Sequence, residues 1–201
     1  MASPAPSEFA STDLAPRHCG RAPGAGTIDG VAGPSEITAA SPLRAAGLDD
    51  LRELMRLARE FYDEDGFTTS DAELDHNFRA LLADRSSARI CLALDSGSGI
   101  GFALTTCRVV LESGAVAELQ DLYVMPAHRR HGVGTRLIND AISWAKAQQA
   151  SSLEVVVAPN GRDVSHLLSY YGAKGFVDEG RRLLNLLLGP QNPHRFGMHE
   201  Q

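Results

Sequence analysis

The sequence is poor in cysteine, in long apolar runs and in excess basic charge, and each lack excludes a class of protein. Its three cysteines show no CxxC or Cys/His spacing, so no structural zinc site is predicted. No stretch approaches the roughly 18 consecutive apolar residues of a membrane-spanning helix. The 19 basic against 25 acidic residues argue against a general nucleic-acid binder. A hydrophobic content of 43% and a charged content of 22% are instead typical of a globular domain.

The first 35 residues differ from the rest of the chain. They are dense in Ala, Pro, Gly and Ser and lack any apolar periodicity, so a disordered extension is predicted over residues 1–35. This segment has neither the charged start and apolar core of a secretory signal nor the acid-poor composition of a transit peptide, so a cytoplasmic protein is expected. Residues 36–189 form the predicted domain, and residues 190–201 form a short tail.

Hydrophobic periodicity predicts a mixed α/β sheet with helices on its faces, in the order β-α-α-β-β-β-α-β-α-β-β. Helices are predicted over Asp49–Tyr62 with Asp49 or Asp50 as cap, from the capping-box pattern that begins at Ser70, over Gly134–Ala150 and over Asp163–Lys174. Strands are predicted over Ile37–Arg44 (an edge strand because of Pro42), Arg89–Leu94, Ile100–Cys107, Ala115–Val124, Leu153–Ala158, Phe176–Glu179 and Arg182–Leu188.

The two cysteines of the first predicted hairpin lie out of register. Closing the hairpin at residues 95–99 pairs Cys91 with about Ala103. Cys107 then lies about 13 Å away along the partner strand. This separation is too large for a disulfide, so small buried thiols are expected.

The most informative stretch runs from Leu119 to Thr135, where a strand passes through a turn into a helix. Gly132 and Gly134 at the start of that helix allow backbone N–H groups to converge on an anion such as phosphate. A Walker loop is excluded because no lysine follows the glycines, and a dinucleotide fingerprint is excluded because Leu137 occupies the third glycine position. The pattern that does fit is Arg129-x-x-Gly132-x-Gly134.

This pattern resembles the R/Q-x-x-G-x-G/A turn of the GNAT (GCN5-related N-acetyltransferase) superfamily. The preceding DLYV strand, the amphipathic helix that follows and the run Tyr170-Tyr171-Gly-Ala-Lys-Gly175-Phe176 are also similar to that family, over roughly residues 37–188. The resemblance implies a GNAT-like fold and acetyl-CoA as co-substrate, with no metal. It implies that the pantetheine arm and the pyrophosphate are held mainly by backbone amides. The residues concerned are Leu122, Tyr123, Val124, Arg129, Arg130, His131, Gly132, Val133, Gly134 and Thr135.

The same resemblance suggests candidates for proton transfer. Tyr171 matches the family's tyrosine acid by its spacing from Gly175-Phe176, and Tyr170 is its substitute if the helix is rotated. Glu118 is the candidate base, although the glutamate of polyamine-acetylating members falls on Gln120. Asp121 is the second choice for the base. Strict alternation along the strand places Asp121 on the face opposite to Glu118, and a bulge reverses that assignment.

The acidic run Asp63-Glu64-Asp65 lies between the first two predicted helices, where members of the family usually form the acceptor pocket. The candidate acceptor-binding residues are Asp63, Glu64 and Asp121. The resemblance implies acetyl transfer in a ternary complex to a primary amine of a small cationic molecule, such as a polyamine, diamino acid or aminoglycoside. Two alternatives remain: acetylation of a protein lysine or N-terminus, and a catalytically silent acyl-CoA-binding regulatory domain. No nucleic-acid or membrane partner is expected, and the resemblance makes a homodimer possible.

Overall fold

The computed structural model describes residues 41–157, 163–184, 186 and 188. They form five strands, β1 (Leu43–Ala45), β2 (Ala88–Asp95), β3 (Ser98–Val110), β4 (Gly114–Val124) and β5 (Ser152–Val155), and four helices, α1 (Leu51–Asp65), α2 (Asp71–Ala83), α3 (Val133–Ala147) and α4 (Ser165–Gly172). Short 3₁₀ turns lie at Leu48–Asp50 and Pro126–His128. The described part of the chain is a mixed α/β fold, as predicted. The extension predicted over residues 1–35 and the tail over 190–201 lie outside the described residues.

The five strands form one sheet in sequence order, with β4 and β5 parallel and the other neighbours antiparallel. Cys91 pairs with Ala103, as the hairpin analysis predicts, and Cys91 and Cys107 are both free thiols. Cys19 lies outside the described residues. β1 is an edge strand among the described residues, as Pro42 predicts, and it begins at Leu43. Residues 37–40 of the predicted strand lie outside the described residues.

Helices cover the sheet on both faces because each presents one apolar stripe. Leu54, Leu57 and Phe78 of α1 and α2 pack with Phe102 and Leu104 of β3 on one face, called here the α1 face. On the other face, called the α3 face, α3 packs its apolar stripe on β2, β3 and β4, with the side chains of Val133, Leu137, Ile138, Ala141, Cys91, Ala103 and Leu119.

The capping predictions had different outcomes at the two helices. Ser70 and Glu73 form the predicted capping box: the Ser70 Oγ accepts from the Glu73 N–H, and the Glu73 carboxylate accepts from the Ser70 N–H at 2.9 Å. Asp50 precedes α1, but its side chain does not cap that helix. It accepts instead from the Gly47 N–H, which precedes the helix in the connection from β1, at 2.9 Å and from the Arg44 guanidinium of β1.

The two strands predicted at the C-terminal end are wrong where the structure describes them. Residues 176–184, together with 186 and 188, contain no strand, and Val177 and Leu184 are 80% and 88% exposed. Alternating apolar residues form a strand only when a neighbouring backbone accepts and donates hydrogen bonds. At the start of this stretch the Phe176 N–H donates to the Tyr171 carbonyl at the end of α4 and not to a neighbouring strand.

Candidate functional site

Among the described residues, no strand pairs with the outer side of β4 over the residues predicted to bind the cofactor. Its parallel pairing with β5 ends at Leu119 and Val155, whereas β4 continues to Val124. The Met125 N–H donates to the Ile100 carbonyl at 2.9 Å, so the backbone groups of every second residue face β3. Those of Leu122 and Val124 therefore point away from β3, into the space left where β5 ends. Such an edge can bind another extended chain of amides.

The turn after β4 presents backbone N–H groups at the start of α3. Gly132 lies at the N-terminal boundary with a φ of 78°, and Arg130 is also left-handed with a φ of 66°. No side chain among the described residues caps this helix, and the first intrahelical bond runs from the Arg136 N–H to the Gly132 carbonyl. The N–H groups of residues 133–135 therefore point out of the helix end, toward any bound anion. The backbone of the predicted pyrophosphate segment fits a phosphate group. Arg130 and His131 are exposed there, whereas the Val133 side chain is buried in the core.

Tyr170 of α4 lies directly against this turn. A Cβ built on Gly134 would lie 2.8 Å from the Tyr170 Oη, so the glycine permits the close approach of the phenol. The Lys174 ammonium lies 4.2 Å from the centre of the Tyr170 ring. Burial raises the pKa of Tyr170, while the nearby Thr135 side chain acts in the opposite direction.

Tyr171, which the motif predicts as the acid, has a different environment. Its ring packs edge-on against Tyr170 and Phe176, each at 5.4 Å between ring centres. Burial, followed by the neighbouring Tyr170, raises the pKa of Tyr171 to about 12. The structure therefore places the hydroxyl of Tyr170 at the predicted cofactor turn and packs the ring of Tyr171 against the α3-face core.

A β-bulge at Gln120 decides which side chains of β4 face α1. Leu104 pairs with Asp121 and Thr105 pairs with Leu119, so the register steps over Gln120. Because Leu104 belongs to the α1-face core, Asp121 lies on that face, opposite to Leu119. This is the reversal that the sequence analysis left open.

Asp121 is partly buried close to the end of α1. Burial, and to a smaller extent the nearby carboxylate of Asp65, raises the pKa of Asp121 to about 6. A carboxyl group with a pKa of about 6 exchanges protons readily near neutral pH. The sequence analysis named Asp121 as the second choice for the base, on its place in the strand near Glu118 and on condition of a bulge, and as a candidate acceptor residue.

Glu118 lies on the α1 face as well, because it pairs with Thr106 and the bulge comes after it. It does not stand free, because Arg108 donates to its carboxylate at 3.0 Å. The same arginine contacts Glu154 at 2.7 Å, and Arg181 contacts Glu154 at 2.8 Å. Glu118 is thus part of an ion-pair row across β3, β4 and β5.

Arg129 and Glu64, predicted as cofactor and acceptor residues, meet each other. The Arg129 guanidinium contacts both Glu64 carboxylate oxygens, at 2.8 and 2.5 Å, and its Nε donates to the Val124 carbonyl at 2.8 Å. Asp63, the neighbouring candidate, is exposed. The motif indicated that positive charge belongs at this turn, but no pattern in the sequence pairs positions 129 and 64.

Sequence analysis missed Glu60 and Arg56, which line the same end of α1. The Tyr123 hydroxyl donates to Glu60 at 3.3 Å, and Arg56 contacts Glu60 at 2.6 Å. Burial, followed by the charges of Glu60 and Glu64, raises the pKa of Tyr123. The spacing of Arg56 and Glu60 by four residues was the available signal, since such pairs share a helix face.

Metal-ligand clusters and membrane-spanning helices are both absent from the described part of the chain. Its His, Cys, Asp and Glu residues nowhere form a group of three or more that could hold a metal ion. None of its helices is long and apolar enough to cross a membrane.

Comparisons with known proteins agree on one family. Residues 51–171 match the sequence model of the acetyltransferase (GNAT) family. An uncharacterised N-acetyltransferase of Archaeoglobus fulgidus is 29% identical over 119 residues, which is 57% of this chain and 80% of that protein. Aminoglycoside N(6')-acetyltransferase type 1 of Acinetobacter haemolyticus is 36% identical over 83 residues, which is 38% of this chain and 57% of that enzyme. A solved integron cassette protein from the mobile metagenome of Cole Harbour Salt Marsh has a TM-score of 0.67 at 26% identity, covering 79% of this chain and 98% of its own.

Proposed function

Because this chain belongs to the acetyltransferase (GNAT) family and is therefore an acetyl-CoA-dependent N-acetyltransferase, we propose that its acceptor is a small molecule with a primary amine and net positive charge. The observation that carries the proposal is the position of Asp121, turned by the bulge toward the acidic end of α1 and close to Asp65. Carboxylates at this position attract an ammonium group and can accept its proton. The aminoglycoside acetyltransferase among the relatives supports an acceptor of this class.

The co-substrate would lie across β4 and the start of α3. The outward-facing backbone groups of Leu122 and the Val124 N–H would bind the amides of the pantetheine arm as an added strand does, while the Val124 carbonyl already accepts from Arg129. The N–H groups of Val133, Gly134 and Thr135 would bind the pyrophosphate, with the helix dipole favouring its negative charge. Both sets of contacts use the backbone, so the substitutions expected to matter are those that alter the backbone or fill the space beside it.

Proton transfer is the chemical task of the side chains. An alkylamine with a pKa near 10 is only about one part in a thousand unprotonated at pH 7, which costs roughly 4 kcal/mol. Asp121 would take this proton, directly or through a water molecule, as the amine nitrogen forms a bond to the carbonyl carbon of the thioester. The carbon–sulfur bond then breaks, and the leaving thiolate takes a proton from a tyrosine hydroxyl.

Tyr170 is the proposed donor because its hydroxyl already lies at the cofactor turn. The motif favours Tyr171 instead, so the two phenols are to be compared directly. We expect Tyr170→Phe to reduce kcat at least tenfold, since a positioned acid contributes about 10²–10⁴-fold. Tyr171→Phe is then expected to change kcat less than threefold, and the reverse result would assign the acid to Tyr171.

The acceptor is tested by thiol release from acetyl-CoA with neamine, spermidine, lysine and a lysine-containing peptide, each assayed with the wild type and Asp121→Asn. Turnover of neamine or spermidine, reduced more than tenfold by Asp121→Asn, would support the proposal. Asp75→Asn is the matched control, because it removes a carboxylate from an exposed pair on α2. Turnover of the peptide alone would indicate a protein acetyltransferase. Binding of acetyl-CoA without turnover of any acceptor would indicate a regulatory domain.

A further inference from the structure

Arg129 joins the cofactor turn to the opposite side of the site through three contacts of one side chain. Its Nε donates to the carbonyl of Val124, the last residue of β4, at 2.8 Å. Its two terminal nitrogens contact both oxygens of Glu64, in the last turn of α1. Its guanidinium carbon also lies 5.7 Å from the centre of the Tyr123 ring. One planar group thus fixes three elements relative to one another.

A second set of contacts holds the same end of α1. Tyr123, only 4% exposed, donates its hydroxyl to Glu60 at 3.3 Å. Glu60 is contacted by Arg56, which also donates to the Gly99 carbonyl of β3 at 2.7 Å. The last two turns of α1 are therefore attached to the sheet by charged and polar groups as well as by apolar contacts, among them the Phe61 ring 5.5 Å from the Tyr123 ring. A bidentate arginine–carboxylate pair is directional, so it transmits a defined orientation from one element to the other.

We propose that Arg129 is a positioning residue that couples the two substrates, so that acetyl-CoA bound to β4 and α3 orders the acceptor side of the site through Glu64. This inference rests on the proposed function for the location of the co-substrate. A pantetheine arm on Leu122 and Val124 and a phosphate at residues 133–135 lie on both sides of Arg129 in the sequence. When the bound co-substrate limits the motion of the backbone before and after Arg129, it also limits the motion of the Arg129 side chain. The bidentate pair with Glu64 then limits the motion of the end of α1. By linkage, the acceptor must favour acetyl-CoA binding by the same factor.

The expected size is modest, because the Arg129 and Glu64 side chains remain 41% and 43% exposed. Pairs of this exposure contribute little individually. We expect the affinity of either substrate to increase about fivefold when the other is bound, at the lower end of typical couplings. Glu64→Gln and Arg129→Lys should both remove this increase, because an amide loses the charge and an ammonium loses the bidentate geometry.

Hydrogen exchange tests the coupling without an acceptor. Backbone amide exchange is measured with and without saturating CoA in the wild type, Glu64→Gln and the control Asp75→Asn. We expect CoA to slow exchange at residues 130–137 in all three proteins, and at residues 61–66 in the wild type and the control only. Protection at 130–137 without protection at 61–66 in the wild type would overturn the coupling and leave the proposed function standing. Equal protection of 61–66 in Glu64→Gln would overturn the role of the ion pair.

Absence of CoA protection everywhere would overturn the proposed function, and the coupling with it. Where an acceptor from the panel is turned over, binding of CoA and of that acceptor is measured separately and together by calorimetry. Loss of the fivefold increase in Glu64→Gln and Arg129→Lys, with the affinity of Glu64→Gln for CoA alone changed less than twofold, would support coupling. A matched loss of CoA affinity in the absence of acceptor would instead identify Arg129 as a direct cofactor ligand.

Discussion

Replacing Asp121 by asparagine is expected to stabilise the protein at neutral pH while removing its activity. Burial raises the pKa of Asp121 from 3.8 to about 6, so the folded protein binds this proton more tightly than the unfolded chain does. The free energy of unfolding of the wild type therefore decreases as pH rises from about 4 to about 6 and remains lower above that range. Asparagine carries no charge at any of these values, so this decrease is absent in the variant.

The full shift corresponds to about 3 kcal/mol, of which about 1.5 kcal/mol is lost between pH 5 and pH 8. Urea unfolding of the wild type and Asp121→Asn at those two pH values measures this difference. The stability gained by the variant should be about 1–1.5 kcal/mol larger at pH 8 than at pH 5. The same variant should lose more than tenfold in kcat with any accepted amine, since it can no longer take the proton.

Asp84→Asn is the control for the pH dependence. Hydrogen bonds from the Ser86 and Ser87 hydroxyls lower the pKa of Asp84 to about 2, so this carboxylate is ionised at both values in the folded and unfolded states. Its effect on stability should therefore be equal at pH 5 and pH 8. A stability difference for Asp121→Asn that is equally independent of pH would refute the reasoning, because the buried carboxylate would then not bind a proton at higher pH than in the unfolded chain.

Three other outcomes follow from single contacts. Gly134→Ala should weaken acetyl-CoA binding at least fivefold, because a Cβ 2.8 Å from the Tyr170 hydroxyl displaces the phenol. The variant should lose little stability, since alanine favours the helix by about 1 kcal/mol relative to glycine. Unchanged acetyl-CoA binding in calorimetry would contradict this prediction. Ser70→Ala should lower the free energy of unfolding by about 1 kcal/mol, since it removes the capping box with Glu73, and urea unfolding measures it. Glu118→Gln should leave kcat within threefold of the wild type in the thiol-release assay, because Glu118 is occupied by an ion pair; a larger loss would restore it as the base.

Local patterns predicted most of the fold. The turn predicted at residues 95–99, between the strands Arg89–Leu94 and Ile100–Cys107, predicted the hairpin register, and Cys91 lies opposite Ala103 in the structure. The strand–turn–helix around Gly132 identified the family, which the match over residues 51–171 confirms. These signals are short-range, since turns and helix starts are determined by neighbouring residues.

Features that depend on distant partners were not predictable. Arg129 and Glu64 are 65 residues apart, and only the fold brings them into contact. The bulge at Gln120 depends on how β3 pairs with β4, while the residues around it follow an ordinary strand pattern. The alternation of apolar residues at Phe176–Glu179 predicted a strand, but the described residues contain no neighbouring strand with which it could pair, so no strand forms there.

The extra residue in β4 changes which face of the sheet the side chains after it point to. Before Gln120, odd-numbered residues such as Leu119 point to the α3 face; after it, Asp121 and Tyr123 point to the α1 face. Deleting Gln120 would leave Leu119 and Asp121 as consecutive residues of a regular strand, each still opposite its partner on β3 and on its own face of the sheet. Only the bulge would be lost. Position 120 should therefore tolerate a change of residue type, and even its own loss, better than the neighbouring positions that have partners on β3.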